Sequence, residues 1–288
     1  MTVKIIAEIG VNHDGDMKKA LQYIDCAKRC GADAVKFQMF KAKWLEPEGP
    51  RRDMLEALEL GVDDHIKLMD HAEEVGIEYI CTPFDPYCLE WLVRQGVKTI
   101  KVASGYCHDK DLLRAAALSG CEIIMSLGMA SREDAIDAMK ILGRATLLHC
   151  ISAYPTPIED MNLKHITILK ATWPTLDIGL SDHSVSHILP AAAVGMGATV
   201  IEKHLTFNPW SGYGPDHKAS LNPISFVKMC EHIREVESAM GSGEYSRPAC
   251  EEEVKTIVQE RREYASNNKD FSAELTLPRP PSVNGWNR

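Results

Sequence analysis

The chain has 288 residues, 45% of them hydrophobic, enough for one large domain with a substantial core or two small ones. Its formal charge of −9 argues against nucleic acid or an anionic membrane as the main partner, yet permits a small anion gripped by a few converging lysines. The opening MTVKIIAEIG is too short and too soon charged for a signal peptide, no apolar run approaches the ~18 residues that span a bilayer, and nine cysteines without a CxxC pair suit a soluble, cytoplasmic protein with reduced thiols.

Taken in chain order, short β-branched runs recur at KIIAEIG (4–10), AVKFQ (34–38), IEYICT (77–82), TIKVAS (99–104), EIIMS (122–126), TLLHC (146–150), DIGLS (177–181) and TVIEKH (199–204). A helical stretch follows each. Residues 17–31 put Leu21, Ile24, Ala27 and Cys30 on one face, and 63–76 open on acids and end in glycine. Further helical segments lie within 88–96, 110–120, 131–143, 163–172, 187–197 and 222–241. Several end in Gly just before the next strand, as expected where a helix must turn sharply back onto a sheet. Eight strands alternating with eight helices predict an α/β fold, the (β/α)8 TIM barrel, over residues 1–245. A doubly wound sheet usually has fewer strands and a Gly-rich loop after the first; here that loop is VNHDGD, with a single Gly. Residues 246–288 read as a short C-terminal extension: an exposed acidic helix and a linker-like tail.

A barrel of this kind gathers the C-terminal ends of all its strands on one rim, where its enzymes place their chemistry. His183 follows the seventh strand and His204 ends the eighth, so they are rim neighbours. Two imidazoles there can share one metal ion, with oxygens of substrate and water completing its shell. Asp182 and Glu202 are candidates for orienting them. The alternative is that each His caps a strand or bonds a loop carbonyl. Other strand ends bring Glu8, Lys36, Gln38, Thr82, Lys101, Ser104, Ser126, Ser152, Tyr154 and Ser181 to the same rim. A lysine among Val, Phe and Ile is costly unless its charge is paired or meets a ligand. Lys36 therefore has an internal partner such as Glu8, or it and Lys101 join the hydroxyls as a cradle for phosphate and carboxylate. His13, His149 and His217 read as hydrogen-bonding residues near the rim, and His65, His71, His165, His187 and His232 as surface residues of helices. The insert Trp210–Gly214 reads as a lid or as packing.

The strings AEIGVNHDGD, AVKFQ, CTPFD, KVASG, SLGMAS, LLHCISAYPTP, IGLSDHS and EKHLTFNPWSGYGPDHKASLNP, in that order, resemble the sialic acid synthase family, the N-acetylneuraminate synthase type, from about residue 4 to 240. The resemblance implies a (β/α)8 barrel that condenses phosphoenolpyruvate with an aldehyde sugar, giving a 2-keto-3-deoxy sugar acid and phosphate. It also implies a divalent metal cofactor, Mn2+ or Mg2+. Carried over by position, it makes His183 and His204 the metal ligands and sets Lys36 and Thr82 at the phosphoenolpyruvate carboxylate. Lys101, Ser104, Ser126 and Ser181 fall at the phosphate, with Ser152 where some relatives have Asn. Glu8, Gln38, Tyr154 and Asp216 fall on the sugar side, and Glu202 beside the metal and its water.

Three departures bear on these expectations. Where the family commonly has an acid after the fourth strand, ASGYC carries Tyr106, a poor base with a reference pKa of ~10. Proton handling then falls to Glu8, Glu202 or water on the metal. The family's STG after the fifth strand reads Ser126-Leu127-Gly128, one polar group fewer. Most relatives also carry a C-terminal antifreeze-like (SAF) domain that reaches over a partner's barrel and supplies an Arg to the sugar. No SAF domain is read in residues 246–288, so the acceptor need not be an N-acetylated hexosamine, and a homodimer would pair through barrel faces. Two other readings stay open: a pyruvate aldolase forming a Schiff base on Lys36 or Lys101, and a non-catalytic barrel that binds phosphoenolpyruvate or phosphate.

Overall fold

The computed structural model describes residues 2–211, 214–245 and 247–267. It divides into two compact units, Met1–Gly241 and Ser242–Arg288. In the first, eight parallel strands close into a barrel in sequence order. They are β1 (Lys4–Gly10), β2 (Ala34–Met39), β3 (Glu78–Pro83), β4 (Thr99–Val102), β5 (Glu122–Ser126), β6 (Thr146–Cys150), β7 (Ile178–Asp182) and β8 (Val200–His204). Every predicted strand is present, with no end moved by more than two residues. The seam closes because β8 pairs with β1, Ile6 opposite Glu202 and Glu8 opposite His204.

The first helices are α1 (Met17–Arg29), α2 (Ala42–Leu45), α3 (Pro50–Leu58) and α4 (Val62–Val75). Then come α5 (Pro86–Arg94), α6 (Lys110–Leu118), α7 (Arg132–Leu142), α8 (Lys164–Thr172), α9 (Leu189–Gly195) and α10 (Pro223–Met240). Local chemistry sets where they start. The side chains of Asp16, Asp85, Asp109, Ser131 and Asn222 each accept a backbone N–H from the first turn. Gly76 ends α4 at φ 72°, a left-handed conformation that would strain a side chain with a Cβ. The short helices α2 and α3 were not anticipated; they fold the long chain between β2 and α4 into a cover stapled by Val11, Phe40, Ala42 and Leu58.

Alternation along each strand sorts the side chains into two environments. Outward residues such as Ile5, Val35, Ile100, Leu147 and Leu180 join the main core beneath the helices. Inward, Ile6, Ala34, Ile80, Ile124, Leu148 and Val200 plug the barrel. Gly179 completes that layer, because a Cβ there would run into the Val200 carbonyl and the Leu148 side chain. Two residues further along the same strands, the inward positions change from apolar to charged or hydroxylic: Glu8, Lys36, Thr82, Ser126, Ser181 and Glu202. The plug forms the floor, and these residues stand on it.

The second unit contains α11 (Glu252–Asn267), whose described residues are exposed except for the half-buried Lys255. Gly212 and Tyr213 of the insert, and the tail from residue 268, lie outside the described residues; Trp210 is exposed. Among the described residues no helix is long and apolar enough to cross a membrane. His65 corrects the reading of it as a surface residue: it is fully buried, with Nδ1 2.7 Å from the Tyr79 hydroxyl. His13, His149 and His217 are buried and hydrogen-bonded, His217 bridging Asp14 and Thr206.

Candidate active site

A cavity of about 610 Å³ opens at the C-terminal rim, and every residue assigned a site role from the sequence except Asp182 lines it. The geometry brings them together in three groups. In the floor group, Lys36 Nζ lies 2.7 Å from Glu8 Oε2 and 3.6 Å from Glu202 Oε2, and donates to Thr82 Oγ1 at 3.0 Å. Ser181 Oγ donates to Glu202 Oε1 at 2.8 Å. The internal partner considered for Lys36 is therefore real, and it sits inside the cavity. Lys101 Nζ bonds only the Val102 carbonyl, at 3.0 Å, with no carboxylate in ion-pair range among the described residues.

These charges shape one another. Burial works against the charge on Lys36, but Glu202 and Glu8 more than offset it and raise its pKa. Burial lowers Lys101, and Glu202 offsets this only in part. Burial alone would raise Glu202, yet Lys101 and Lys36 hold it at about 2. Burial raises Glu8 against the pull of Lys36 and with the push of Glu202. The floor thus carries two lysines and a firmly ionised Glu202, with Glu8 the carboxyl most ready to take a proton.

The second group is a ring of hydroxyls beside Lys101. Gly128 N–H donates to Ser104 Oγ at 3.1 Å, and a Cβ at Gly128 would collide with Ser152 Oγ and lie 2.8 Å from Ser104 Oγ. Only glycine leaves this cradle open. Ser126 Oγ is buried without a hydrogen-bond partner, as is Glu202 Oε2. Buried polar atoms are nearly always paired, so the unpaired Ser126 hydroxyl beside an incompletely paired lysine suits an incoming anion, whereas the Glu202 oxygen can only accept from a donor. Cys150 also lines this part of the cavity, unforeseen because a lone cysteine ending a strand reads as core.

The third group faces the barrel seam. Gln38 Nε2 donates to Glu8 Oε1 at 3.0 Å. Gly10, at φ 56°, lets Asp216 approach, since a Cβ there would lie 2.7 Å from Asp216 Oδ2. Burial raises the Asp216 carboxyl, with His183 acting in the opposite direction. The rings of His183 and His204 lie 5.4 Å apart at 50°, and Tyr154 stacks on His183 at 4.0 Å. His183 Nδ1 is 2.8 Å from the Ile151 carbonyl, so that nitrogen carries the hydrogen and Nε2 keeps its lone pair. Burial opposes charge on His183, but Cys150 and the Ile151 carbonyl tip its pKa upward. His204 Nδ1 has no hydrogen bond, and burial together with His183 and Lys36 holds that ring well below the usual imidazole range.

Two adjacent imidazoles, one with an unpaired buried nitrogen, fit a cation that takes its remaining ligands from outside the protein. Among the described residues no group of three or more His, Cys, Asp or Glu is arranged to hold one, so any such ion would rely on these two nitrogens plus oxygens of substrate and water. Asp182 does not serve them. Its carboxylate takes Lys203 Nζ at 2.7 Å and Ser184 N at 2.7 Å, which corrects its reading as an orienting group.

Sequence reasoning also missed the outer wall of the cavity. Leu45, Glu46, Arg51 and Leu55 come from the α2–α3 cover, Phe84 from the end of β3 and Met129 from the loop after β5. For the four cover residues the one signal was the unusual length of the chain between β2 and α4.

The chain is similar to known proteins over most of its length. The N,N'-diacetyllegionaminic acid synthase of Legionella pneumophila is 37% identical over 97% of this chain and 86% of its own. The human N-acetylneuraminate-9-phosphate synthase is 35% identical over 86% of this chain and 74% of its own. Among solved structures, N-acetylneuraminic acid (sialic acid) synthetase from Leptospira borgpetersenii, in complex with citrate, superposes with a TM-score of 0.84 at 33% identity, covering 94% of this chain and 93% of that one. The NeuB family pattern matches residues 23–245, from within α1 to just beyond the barrel unit. The chain belongs to the NeuB family, the family of the sialic acid synthases.

Proposed function

We propose that this protein is a transferase that joins phosphoenolpyruvate to an amino-sugar aldehyde through a new carbon–carbon bond, releasing phosphate and a 2-keto-3-deoxy sugar acid. One observation carries the reading. The charged floor, the hydroxyl cradle and the histidine pair line a single cavity on the rim where this fold places its chemistry.

Lys36 and Thr82, 3.0 Å apart, receive the carboxylate of phosphoenolpyruvate. Lys101, Ser104, Ser126, Ser152 and Ser181 receive its phosphate, which supplies the negative charge Lys101 lacks. The aldehyde lies against Glu8, Gln38, Tyr154 and Asp216, with its carbon toward C3 of the enol. Bond formation from C3 puts the electron pair on the aldehyde oxygen, which gains a proton, and leaves C2 electron-poor. Water adds to C2 and loses a proton, and the C2–O bond to phosphate then breaks. Glu8 and Glu202 flank these events, and the raised Glu8 carboxyl is the better placed to exchange the proton. Tyr106 stays protonated, because burial and then Asp109 raise its phenol. The lysines stabilise the departing phosphate, and the packed floor fixes the reactants' geometry. Manganese or magnesium would be held by His183 and His204 and would supply Lewis acidity toward the aldehyde oxygen.

The test is phosphate release from phosphoenolpyruvate with Mn2+ and a panel of N-acylated amino sugars. Release must require the sugar, cease with EDTA and return with Mn2+, and the product mass must equal acceptor plus pyruvate. His183→Ala and His204→Ala should each weaken Mn2+ binding measured by calorimetry. A pyruvate adduct trapped by borohydride would favour the aldolase instead. Phosphoenolpyruvate binding without release across the panel would favour the non-catalytic barrel.

A further inference from the structure

The cavity changes character along its length, and that gradient bears on which acceptor it takes; the inference rests on the synthase reading above. Phosphoenolpyruvate occupies the floor, so an aldehyde reaching its C3 must point its far end outward. The outer wall there is mainly apolar, with Glu46 and Arg51 its charged members. Leu45 and Leu55 from the cover, Phe84 and Met129 line it. Phe40 meets Phe84 edge to face at 5.8 Å, and Phe84 meets Tyr106 edge to face at 5.3 Å, so three aromatic rings lining the cavity brace one another. Tyr106 offers a neutral hydroxyl with no side-chain partner among the described residues.

The charges at this end are already matched. Lys36, Arg51 and Lys101 are the cations lining the cavity, and the two lysines belong to the floor. Arg51 is held by Glu46 at 3.0 Å. A phosphate on the acceptor's far end would find its one cation occupied and Glu46 beside it. It would also lose water against the Leu45, Leu55, Phe84 and Met129 side chains, which return no hydrogen bonds. A methyl or acyl group would bury apolar area on the same wall.

We propose that the site selects an uncharged amino-sugar aldehyde bearing apolar substituents, deoxy or acyl, at the end remote from the aldehyde, and discriminates against the terminally phosphorylated sugar. Leu45, Leu55, Phe84 and Tyr106 are the specificity-determining residues. Glu46 contributes by pairing with the mostly exposed Arg51 and by setting a carboxylate beside it.

The experiment compares kcat/KM for N-acetylmannosamine, its 6-deoxy form and its 6-phosphate at saturating phosphoenolpyruvate and Mn2+. The expected order is 6-deoxy first, with the 6-phosphate lower by about a hundredfold, the scale on which pockets separate such substrates. Leu55→Lys puts a free cation on the wall, and Glu46→Gln frees Arg51 at an exposed position. Each should raise the ratio of 6-phosphate to 6-deoxy turnover about tenfold, and the second does so without altering the apolar core. If the 6-phosphate equals or exceeds the 6-deoxy sugar, this inference is wrong and the synthase reading stands. An unchanged ratio in both variants also overturns it. No phosphate release with any of the three, although phosphoenolpyruvate binds, overturns the synthase reading and this inference together.

Discussion

Two fully buried lysines, Lys203 and Lys101, sit within a few residues of the candidate site and are treated by the fold in opposite ways. Lys203 faces away from the cavity. Its Nζ meets Asp182 Oδ2 at 2.7 Å, the Ser184 carbonyl, and Ser184 Oγ at 3.4 Å, so all three ammonium hydrogens have acceptors. Lys101 faces in, with one carbonyl and, among the described residues, no carboxylate in ion-pair range, next to a Ser126 hydroxyl without a hydrogen-bond partner. Burial lowers both, and Asp182 and Glu202 respectively push back. A satisfied buried charge ties two strand ends together, whereas an unsatisfied one stores a demand that a ligand can meet. Equal burial does not mean equal purpose.

The contrast breaks or sharpens under four measurements. Lys203→Met strands Asp182 without a counter-charge, so denaturant unfolding should show a loss of about 3–5 kcal/mol. Lys101→Met should leave stability within about 1 kcal/mol while lowering phosphoenolpyruvate-dependent phosphate release about a hundred- to a thousandfold, the size of a lost transition-state donor. Equal destabilisation by the two substitutions would erase the distinction. Ser126→Ala removes a hydroxyl with nothing to lose in the free protein. The expected result is a change in stability below about 0.5 kcal/mol and a roughly tenfold higher KM for phosphoenolpyruvate, the worth of one hydrogen bond to a charged group.

The smallest effect lies at the loop after β1. Burial works against the Asp14 carboxylate, but hydrogen bonds from His217 and Lys19 hold its pKa below the ordinary value. Its folded pKa is therefore lower than its unfolded one. The stabilisation is complete above about pH 4 and disappears as pH falls through the folded value. Asp14→Asn should cost about 0.5–1 kcal/mol at pH 7, with the difference from the parent shrinking in acid unfolding curves. A constant difference down to pH 2 would show that shape, not charge, matters there.

The barrel was legible because each strand reports itself locally. Alternation and a following helix can be read from a dozen residues, and eight repeats leave few architectures. The polar residues at the strand ends were legible for the same reason: a Lys or Glu two positions beyond Ile6, Ala34 or Val200 must share their face. The α2–α3 cover was not, because Pro47, Gly49 and Pro50 interrupt it and its apolar residues pack on Val11 and Phe40 rather than on the main core. His65 looked like a surface residue because nothing local announces Tyr79 across from it.

By itself, then, the sequence determined the order and type of the elements, the inward set of each strand and the rim on which the chemistry gathers. All of these follow from the two-residue period of a strand and the parallel sense of the sheet. Only the tertiary structure decided which buried charges meet: that Glu8 takes Lys36, that Asp182 takes Lys203, and that Lys101 has no carboxylate in ion-pair range among the described residues. Those pairings are set by distances between segments far apart in the chain. Coulomb attraction and desolvation change over one or two ångströms, a scale that no run of neighbouring residues encodes.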